Sequence, residues 1–157
     1  MPSKTQSIIL GGAIVGVLSP LIGLIPVVGG CISCLGYTIA GVVAVWHYTS
    51  THELTIAGGS GAGMGALAGI VTALVGGLVS YVLIALDVAP GMEQVMEGFA
   101  ESGALDDEQL EDIADFIFSP VAYLAFMGVG AIIGAILGAI GGAIGASVFK
   151  KGGEFPS

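Results

Sequence analysis

Apolar residues of the chain fall into four long runs, which are separated by short polar or glycine-rich breaks. The runs cover residues 7–28, 31–48, 61–86 and 121–149. A helix of about 20 residues crosses a hydrocarbon core about 30 Å thick, so each run is close to or above the length of one crossing. The pattern predicts an all-α polytopic membrane protein, in which residues 1–157 form one domain with four transmembrane helices.

The breaks between the runs contain residues that end or kink helices. Pro20 and Pro26 lie in the second half of the first run, where proline kinks a helix or helps to end it. Gly29 and Gly30 then allow a tight turn. The polar residues 49–55, TSTHELT, predict a connecting loop after the second span.

Residues 87–120, between the third and fourth runs, differ from the rest of the chain because they are acidic. Their apolar positions recur at helical spacing, first as Met92, Val95, Met96 and Phe99 and later as Leu110, Ile113, Phe116 and Ile117. Asp106 or Asp107 is a suitable N-cap for the second of these helices. We expect an amphipathic helical insert that lies on the outer membrane surface or caps the bundle.

Charge is distributed very unevenly along the chain. The formal net charge is −9, and ten of the 12 acidic residues lie between Asp87 and Asp115. The basic residues other than histidine are Lys4, Lys150 and Lys151, and arginine is absent. Three lysines at the chain ends cannot form a phosphate-binding surface, so nucleic acid is not expected as a partner.

The lysines also predict an orientation. Four spans place both termini on one side of the membrane, and all three lysines lie on that side, which the positive-inside rule makes cytoplasmic. We therefore expect a multi-pass protein of the cell (inner) membrane with both termini in the cytoplasm and the acidic insert outside the cell. The first apolar run is interpreted as an uncleaved span, because no cleavage site for a signal peptide follows it.

Glycine recurs at every fourth position in the last two spans. The third span carries Gly61, Gly65, Gly69 and, after Ala73, Gly77, and the fourth carries Gly130, Gly134, Gly138 and Gly142. Small residues at this GxxxG spacing let membrane helices approach closely, whereas glycine costs about 1 kcal/mol in a water-exposed helix. The stripes predict tight packing of the glycine-zipper kind, against a helix of the same chain or of another copy. Gly141 and Gly145 add a second small face, which favours contacts with further copies or other subunits.

The second span begins and ends with residues that bear on function. Cys31 and Cys34 form a CxxC pair, which is interpreted as small packing residues, a disulfide or a redox pair. No further cysteine is available to relay electrons or to complete a zinc site. At the other end, Trp46 and Tyr48 are predicted to anchor the span at the headgroup level.

Two histidines near the end of the second span are candidate metal ligands. His47 and His52 lie close to Glu53, but their spacing matches no recognised ligand pattern. The glycine-rich residues 58–69 similarly lack the strand that a dinucleotide-binding loop requires. No metal site and no cofactor are therefore expected.

The interiors of the spans contain no Asp, Glu, Lys, Arg or His. Ionisable residues within a membrane usually mark proton relays and ion pathways, and an enzyme needs a nucleophile with a nearby base. We expect a non-enzymatic structural or accessory protein, with no catalytic residues, that packs through its glycine stripes. Its partners would be the lipid bilayer and, through the third and fourth spans, either copies of itself or other membrane subunits. The alternatives are a small oligomeric channel and a CxxC redox protein.

Three segments in this order carry a resemblance to other proteins: CISCLGYTIAGVVAVWHYT, AGGSGAGMGALAGIVTALVGG and GGAIGASVFKK. Together they resemble a diffuse group of small, uncharacterised, glycine-rich bacterial membrane proteins with four spans. The resemblance covers most of the chain and implies the four-span topology. The group has no known activity, so the resemblance implies none here.

Overall fold

The computed structural model describes residues 4–24, 29–86, 88 and 120–150, and this part of the chain contains helices and no strands. Its four helices are α1 (Thr5–Gly23), α2 (Gly29–His52), α3 (Gly58–Ala85) and α4 (Pro120–Val148). The predicted all-α fold is therefore confirmed for this part of the chain. The predicted acidic insert at 87–120 lies outside the described residues, except for Val88 and the first residue of α4.

The helices run alternately up and down. Gly61 of α3 lies near Gly142 of α4, and Gly69 lies near Gly134, so these two helices are antiparallel. The helices α1 and α3 are parallel, as are α2 and α4. The helices α2 and α3 contact each other and both of the others, whereas the described residues of α1 and α4 make no mutual contact.

Three of the four helices are long and apolar enough to cross a membrane. The qualifying stretches are Thr5–Ile22, Gly58–Ile84 and Leu124–Val148. Their outward faces expose large aliphatic side chains, for example Leu78 (62%), Ile132 (63%) and Leu124 (66%). These exposed side chains suit contact with lipid tails, because apolar groups are more stable among apolar tails than in water. The fourth predicted crossing, by α2, is not shown in this way.

The first predicted span, 7–28, is too long, because α1 ends at Gly23. The tight turn predicted at Gly29 and Gly30 is wrong, because both residues belong to the first turn of α2.

Two further predicted helix boundaries, on either side of the loop between α2 and α3, are corrected. Residues 49–52, predicted as loop, are the last residues of α2, and α3 already begins at Gly58 instead of Gly61. Thr49 is fully buried and donates its hydroxyl to the carbonyl oxygens of Val45 (3.0 Å) and Trp46 (3.2 Å). Its polar group is thereby satisfied inside the helix, so its polarity does not end the helix. The loop between α2 and α3 therefore consists of residues 53–57.

Pro20 lies inside α1, which continues to Gly23. Proline lacks the N–H that would bond to the carbonyl of Gly16, one turn earlier. Gly76 of α3 approaches this carbonyl: an ideal Cβ built on Gly76 would lie 3.3 Å from the Gly16 oxygen. The helix therefore continues past the proline at a place where a neighbouring helix packs against the freed carbonyl.

The buried core lies at the end of the bundle where α1 and α3 begin and α2 and α4 end. Its members are Ile8, Ala44, Val45, Tyr48, Met64, Ala68 and Ala146, with Ile56 and Val71 packed against them. Four of the nine are alanine or methionine, so the core is made of small or adaptable side chains that allow the helices to lie close together. Lys4 and Lys150 are exposed at this same end.

Glu53, the first residue after α2, has a left-handed conformation with φ of 52°. The N–H of Leu54 bonds to the carbonyl of Thr49 (3.3 Å), which is the Schellman arrangement that usually has glycine at the left-handed position. A residue with a Cβ pays about 1 kcal/mol or more for this conformation. The exposed Glu53 therefore stores local strain.

Glu53→Gly is expected to raise the stability of the protein by about 1 kcal/mol, because glycine adopts this conformation without the Cβ penalty. Glu53→Ala is the matched control, since it removes the same charge from the helix C-terminus but retains the Cβ. Thermal unfolding in detergent measures both variants. Equal stability of the two would show that the charge and not the backbone conformation matters at residue 53.

Candidate functional site

Among the described residues, α3 and α4 approach each other closely over several turns. This contact is formed by the residues named here the glycine interface: Gly61, Gly65 and Gly69 of α3, and Gly134, Gly138 and Gly142 of α4. A Cβ built on Gly69 would fall on the carbonyl oxygen of Gly134, and one on Gly65 would fall on that of Gly138. At Gly61 the Cβ would lie 2.5 Å from the oxygen of Gly142.

The contact is reciprocal, because Cβ atoms built on α4 meet carbonyl oxygens of α3. The Cβ of Gly138 would fall on the oxygen of Gly65, and that of Gly134 would lie 2.7 Å from the oxygen of Gly69. These oxygens belong to helix backbone and cannot turn away as a flexible side chain can. The glycine interface thus brings two backbones together, where dispersion and Cα–H···O contacts replace the side-chain packing of ordinary helix pairs.

The second small face of α4 packs on α2. A Cβ at Gly141 would fall on the carbonyl oxygen of Thr38, and one at Gly145 would lie 3.1 Å from the Cβ of Val45. Gly41 of α2 faces the carbonyl oxygen of Gly138 in return. Gly141 and Gly145 therefore make contacts within the chain, which removes the reason given by the sequence for assigning them to further copies or to other subunits.

The first helix also packs through glycine. A Cβ at Gly11 would lie 2.9 Å from the backbone nitrogen of Ala44 in α2, and one at Gly12 would lie 2.7 Å from the carbonyl oxygen of Ala68 in α3. The buried hydroxyl of Thr72 donates to the carbonyl oxygens of Gly12 (3.2 Å) and Ala68 (2.9 Å). One hydroxyl thus connects α3 to α1 at a point where a glycine lets their backbones lie close together.

Gly130 and Gly77, which the sequence predicts as packing residues, lie outside the glycine interface. A Cβ built on Gly130 would meet nothing within 4 Å. A spacing of four residues exceeds one helical turn of 3.6, so the stripe drifts around α4 and leaves the contact face by Gly130. Gly77 lies further along α3 and is half-buried. Gly63 and Gly128 resemble Gly130 in that each has open space around the Cβ position.

A serine–histidine pair near the core was not found from the sequence, because its members are 40 positions apart. The Oγ of Ser7 in α1 lies 2.9 Å from Nδ1 of His47 in α2. Such a pair can activate a nucleophile, but Ser7 is only 2% exposed, so a substrate has no access to its hydroxyl. The hydrogen bond instead ties α1 to α2, and it gives the buried hydroxyl a partner.

The two predicted interfacial anchors have different environments. Trp46 is 49% exposed, and its role at the headgroup level stays a prediction. Tyr48 is 4% exposed and belongs to the core, where its ring packs edge-on against that of His52 with centroids 5.0 Å apart. Tyr48 is thus enclosed by the bundle and does not face lipid. Trp46 and Tyr48 are two positions apart and therefore face nearly opposite sides of α2, which their common aromatic character does not show.

The remaining candidate residues are the two cysteines and the candidate metal ligands. Cys31 and Cys34 lie in the first turns of α2, but their side chains are outside the described residues, so the possible disulfide stays a prediction. Among the residues that the structure describes, no group of three or more His, Cys, Asp or Glu could hold a metal ion. No buried side-chain nitrogen or oxygen in this part of the chain lacks a hydrogen-bond partner.

Comparison with known proteins adds no relative. No family model, no curated protein and no solved structure matches the chain. The class of protein therefore follows from the fold and from the helix surfaces alone. An all-helical bundle with three helices of sufficient length and apolarity indicates a membrane protein.

Proposed function

We propose that the protein is a non-enzymatic structural or accessory membrane protein, and that it serves as a small subunit of a larger membrane complex. The observation that carries this proposal is the glycine interface, in which the backbones of α3 and α4 are in direct contact. Backbone contact of this kind makes a rigid unit, because no side chain can rotate to let the helices slide. A rigid apolar body suits a role in packing against other helices.

The chemistry of the described spans supports the same role. The stretches Thr5–Ile22, Gly58–Ile84 and Leu124–Val148 contain no Asp, Glu, Lys, Arg or His. Ion-coupled transport and proton relay depend on such groups within the membrane. The buried hydroxyls of Ser7, Thr49 and Thr72 all bond to protein partners, which fits helix-to-helix ties and not a polar pathway.

The proposal prefers a different subunit to further copies of the chain as the partner. Gly141 and Gly145, which the sequence assigns to further copies or other subunits, contact α2 of the same chain and so support neither form of assembly. The outer face of α4 offers a surface for a different subunit, since Gly128 and Gly130 have open space around them and Val129 is 53% exposed. The small-channel and redox alternatives gain no support from any described contact.

The proposal includes an orientation and a location. Lys4 and Lys150 lie at the same end of the bundle, next to the start of α1 and the end of α4. If α2 crosses the membrane with the other three helices, both termini lie on the cytoplasmic side of the cell membrane. The acidic segment 87–120 would then connect α3 to α4 outside the cell.

Purification in a mild detergent from native membranes, followed by native mass spectrometry, tests the role. One copy of the chain is expected to co-purify with at least one different membrane protein in a fixed ratio. Gly128→Trp on α4 is expected to lower the amount of this partner. Gly58→Trp is the matched control, because Gly58 also has nothing within 4 Å but begins α3 at the opposite end of the bundle.

Two results would contradict the proposed role. A monomer without any partner would remove the accessory function, and a pure homo-oligomer would replace it with the alternative assembly. Equal partner retention by both tryptophan variants would exclude the outer face of α4 as the contact surface. Circular dichroism of the purified variants shows whether each has kept its helices.

A further inference from the structure

The outward surface of α1 carries a shallow, open groove of about 590 Å³. It is lined by Thr5, Gln6, Ile9, Leu10, Ala13 and Ile14. Ile9 (52% exposed), Leu10 (38%) and Ile14 (47%) are the large side chains along it. Ala13 is the smallest of the six, and it leaves room between them.

The polarity of the groove changes along its length. Thr5 and Gln6 give its first turn hydrogen-bonding groups, whereas the other four lining residues are apolar. The distance from Thr5 to Ile14 along the axis is about 13 Å at 1.5 Å per residue. The groove therefore begins with a polar end and continues into the apolar part of a predicted span.

Lys4 is the charged residue next to the polar end of the groove in the chain, although it does not itself line the groove. It is exposed, immediately precedes Thr5, and is the single charged residue of the described range 4–24. No carboxylate on α1 neutralises it. A ligand that fits this distribution has one negative charge at the level of Lys4 and an apolar chain along Ile9 and Ala13.

We propose that the groove on α1 binds an anionic phospholipid, with the phosphate near Lys4, Thr5 and Gln6 and one acyl chain along Ile9, Ala13 and Ile14. Lysine at a membrane surface attracts anionic lipid, and Thr5 and Gln6 can donate hydrogen bonds to phosphate oxygens. The apolar residues below them contact the acyl chain. This inference goes beyond the accessory role and requires only that α1 lies in a membrane.

The test measures which lipid stays bound to the full-length protein. Protein in detergent is mixed with phosphatidylglycerol or phosphatidylcholine of the same chain length, and native mass spectrometry counts the retained lipid. Phosphatidylglycerol is expected to be retained more strongly than phosphatidylcholine. Lys4→Gln should weaken the retention of phosphatidylglycerol about fivefold, which corresponds to about 1 kcal/mol for one basic residue at the surface.

A second variant tests the apolar part of the groove. Ala13→Phe fills the space between Ile9 and Ile14 and is expected to abolish retention, and Ala125→Phe is the control because Ala125 is an exposed alanine on the outside of α4. Equal retention of the two lipids, or equal loss in both phenylalanine variants, would overturn the proposal. A melting temperature for each variant separates loss of the lipid from loss of the fold.

Discussion

Gly138→Ala is expected to destabilise the protein severely, whereas Gly130→Ala, about two turns away on the same helix, should leave it folded. Both substitutions raise the helix propensity of α4 by about 1 kcal/mol, so this term is common to the two variants. They differ in what the new methyl group meets. At Gly138 it would fall on the carbonyl oxygen of Gly65, and at Gly130 it would meet nothing within 4 Å.

The expected size follows from the cost of overpacking. A methylene forced into a well-packed core costs about 1–3 kcal/mol when side chains can adjust, and here the obstacle is helix backbone. We therefore expect a loss of about 3 kcal/mol or more for Gly138→Ala. The double change Gly134→Leu with Gly138→Leu should prevent stable folding altogether, because α3 would have to leave α4 along most of the glycine interface.

Unfolding by a denaturing detergent, followed by circular dichroism, measures these variants against the wild type. Gly130→Leu and Gly63→Leu serve as controls, since the first lies on the same stripe and the second lies on α3, and both have open space around the Cβ position. Similar losses at Gly138 and Gly130 would mean that the glycines matter by composition and not by contact. A stable Gly134→Leu, Gly138→Leu protein would contradict the glycine interface itself.

The sequence predicted the helices well because hydrophobic length is a local property. The predicted runs 61–86 and 121–149 differ from α3 and α4 by three residues or fewer at each end. The prediction is wrong at residues 49–52 and at Gly58, where polar residues or glycine lie within a helix and not in a loop. Thr49 is helical because its hydroxyl bonds to the carbonyl groups of the preceding turn, which polarity alone does not reveal.

Glycine spacing, by contrast, identified candidate packing residues without identifying their partners. Gly130 and Gly138 are equivalent in sequence, yet they differ in environment because a spacing of four drifts around the helix. The same limit applies to Gly141, whose contact with Thr38 depends on how α2 lies against α4. The bond between Ser7 and His47 depends on the packing of α1 on α2 in the same way. Such contacts are properties of the folded bundle and are not encoded in any one segment.

A cysteine introduced at Gly61 is expected to form a disulfide with one introduced at Ala146 of the same chain. A Cβ built on Gly61 would lie 2.6 Å from the Cβ of Ala146, which makes this the nearest side-chain contact of Gly61 across α3 and α4. A disulfide needs Cβ atoms about 3.8 Å apart, and the new Cβ at residue 61 also has to clear the carbonyl oxygen of Gly142, which lies 2.5 Å away. Both conditions require the helices to separate by about 1 Å, at the end of the bundle where α3 begins and α4 ends. The natural Cys31 and Cys34 are replaced by alanine so that they do not compete.

Mild oxidation in the membrane, followed by non-reducing electrophoresis, distinguishes a bond within one chain from a bond between two. We expect nearly complete reaction of Gly61→Cys with Ala146→Cys, without a band at twice the mass. Gly63→Cys with Ala146→Cys is the matched control and should react poorly, because nothing lies within 4 Å of the Cβ position of Gly63. Since Gly61 and Ala146 lie near the ends of their helices, the oxidant can reach them from the aqueous side.

A cross-linked dimer would place α4 of one copy against α3 of another. The glycine interface would then be an assembly contact, and the homo-oligomer would replace the small subunit as the preferred form of the protein. A cross-link confined to one chain has the opposite consequence. It would mean that the most tightly packed small residues serve the fold of the single chain, so that any partner must use the outer surface of α4 around Gly128 or another exposed face.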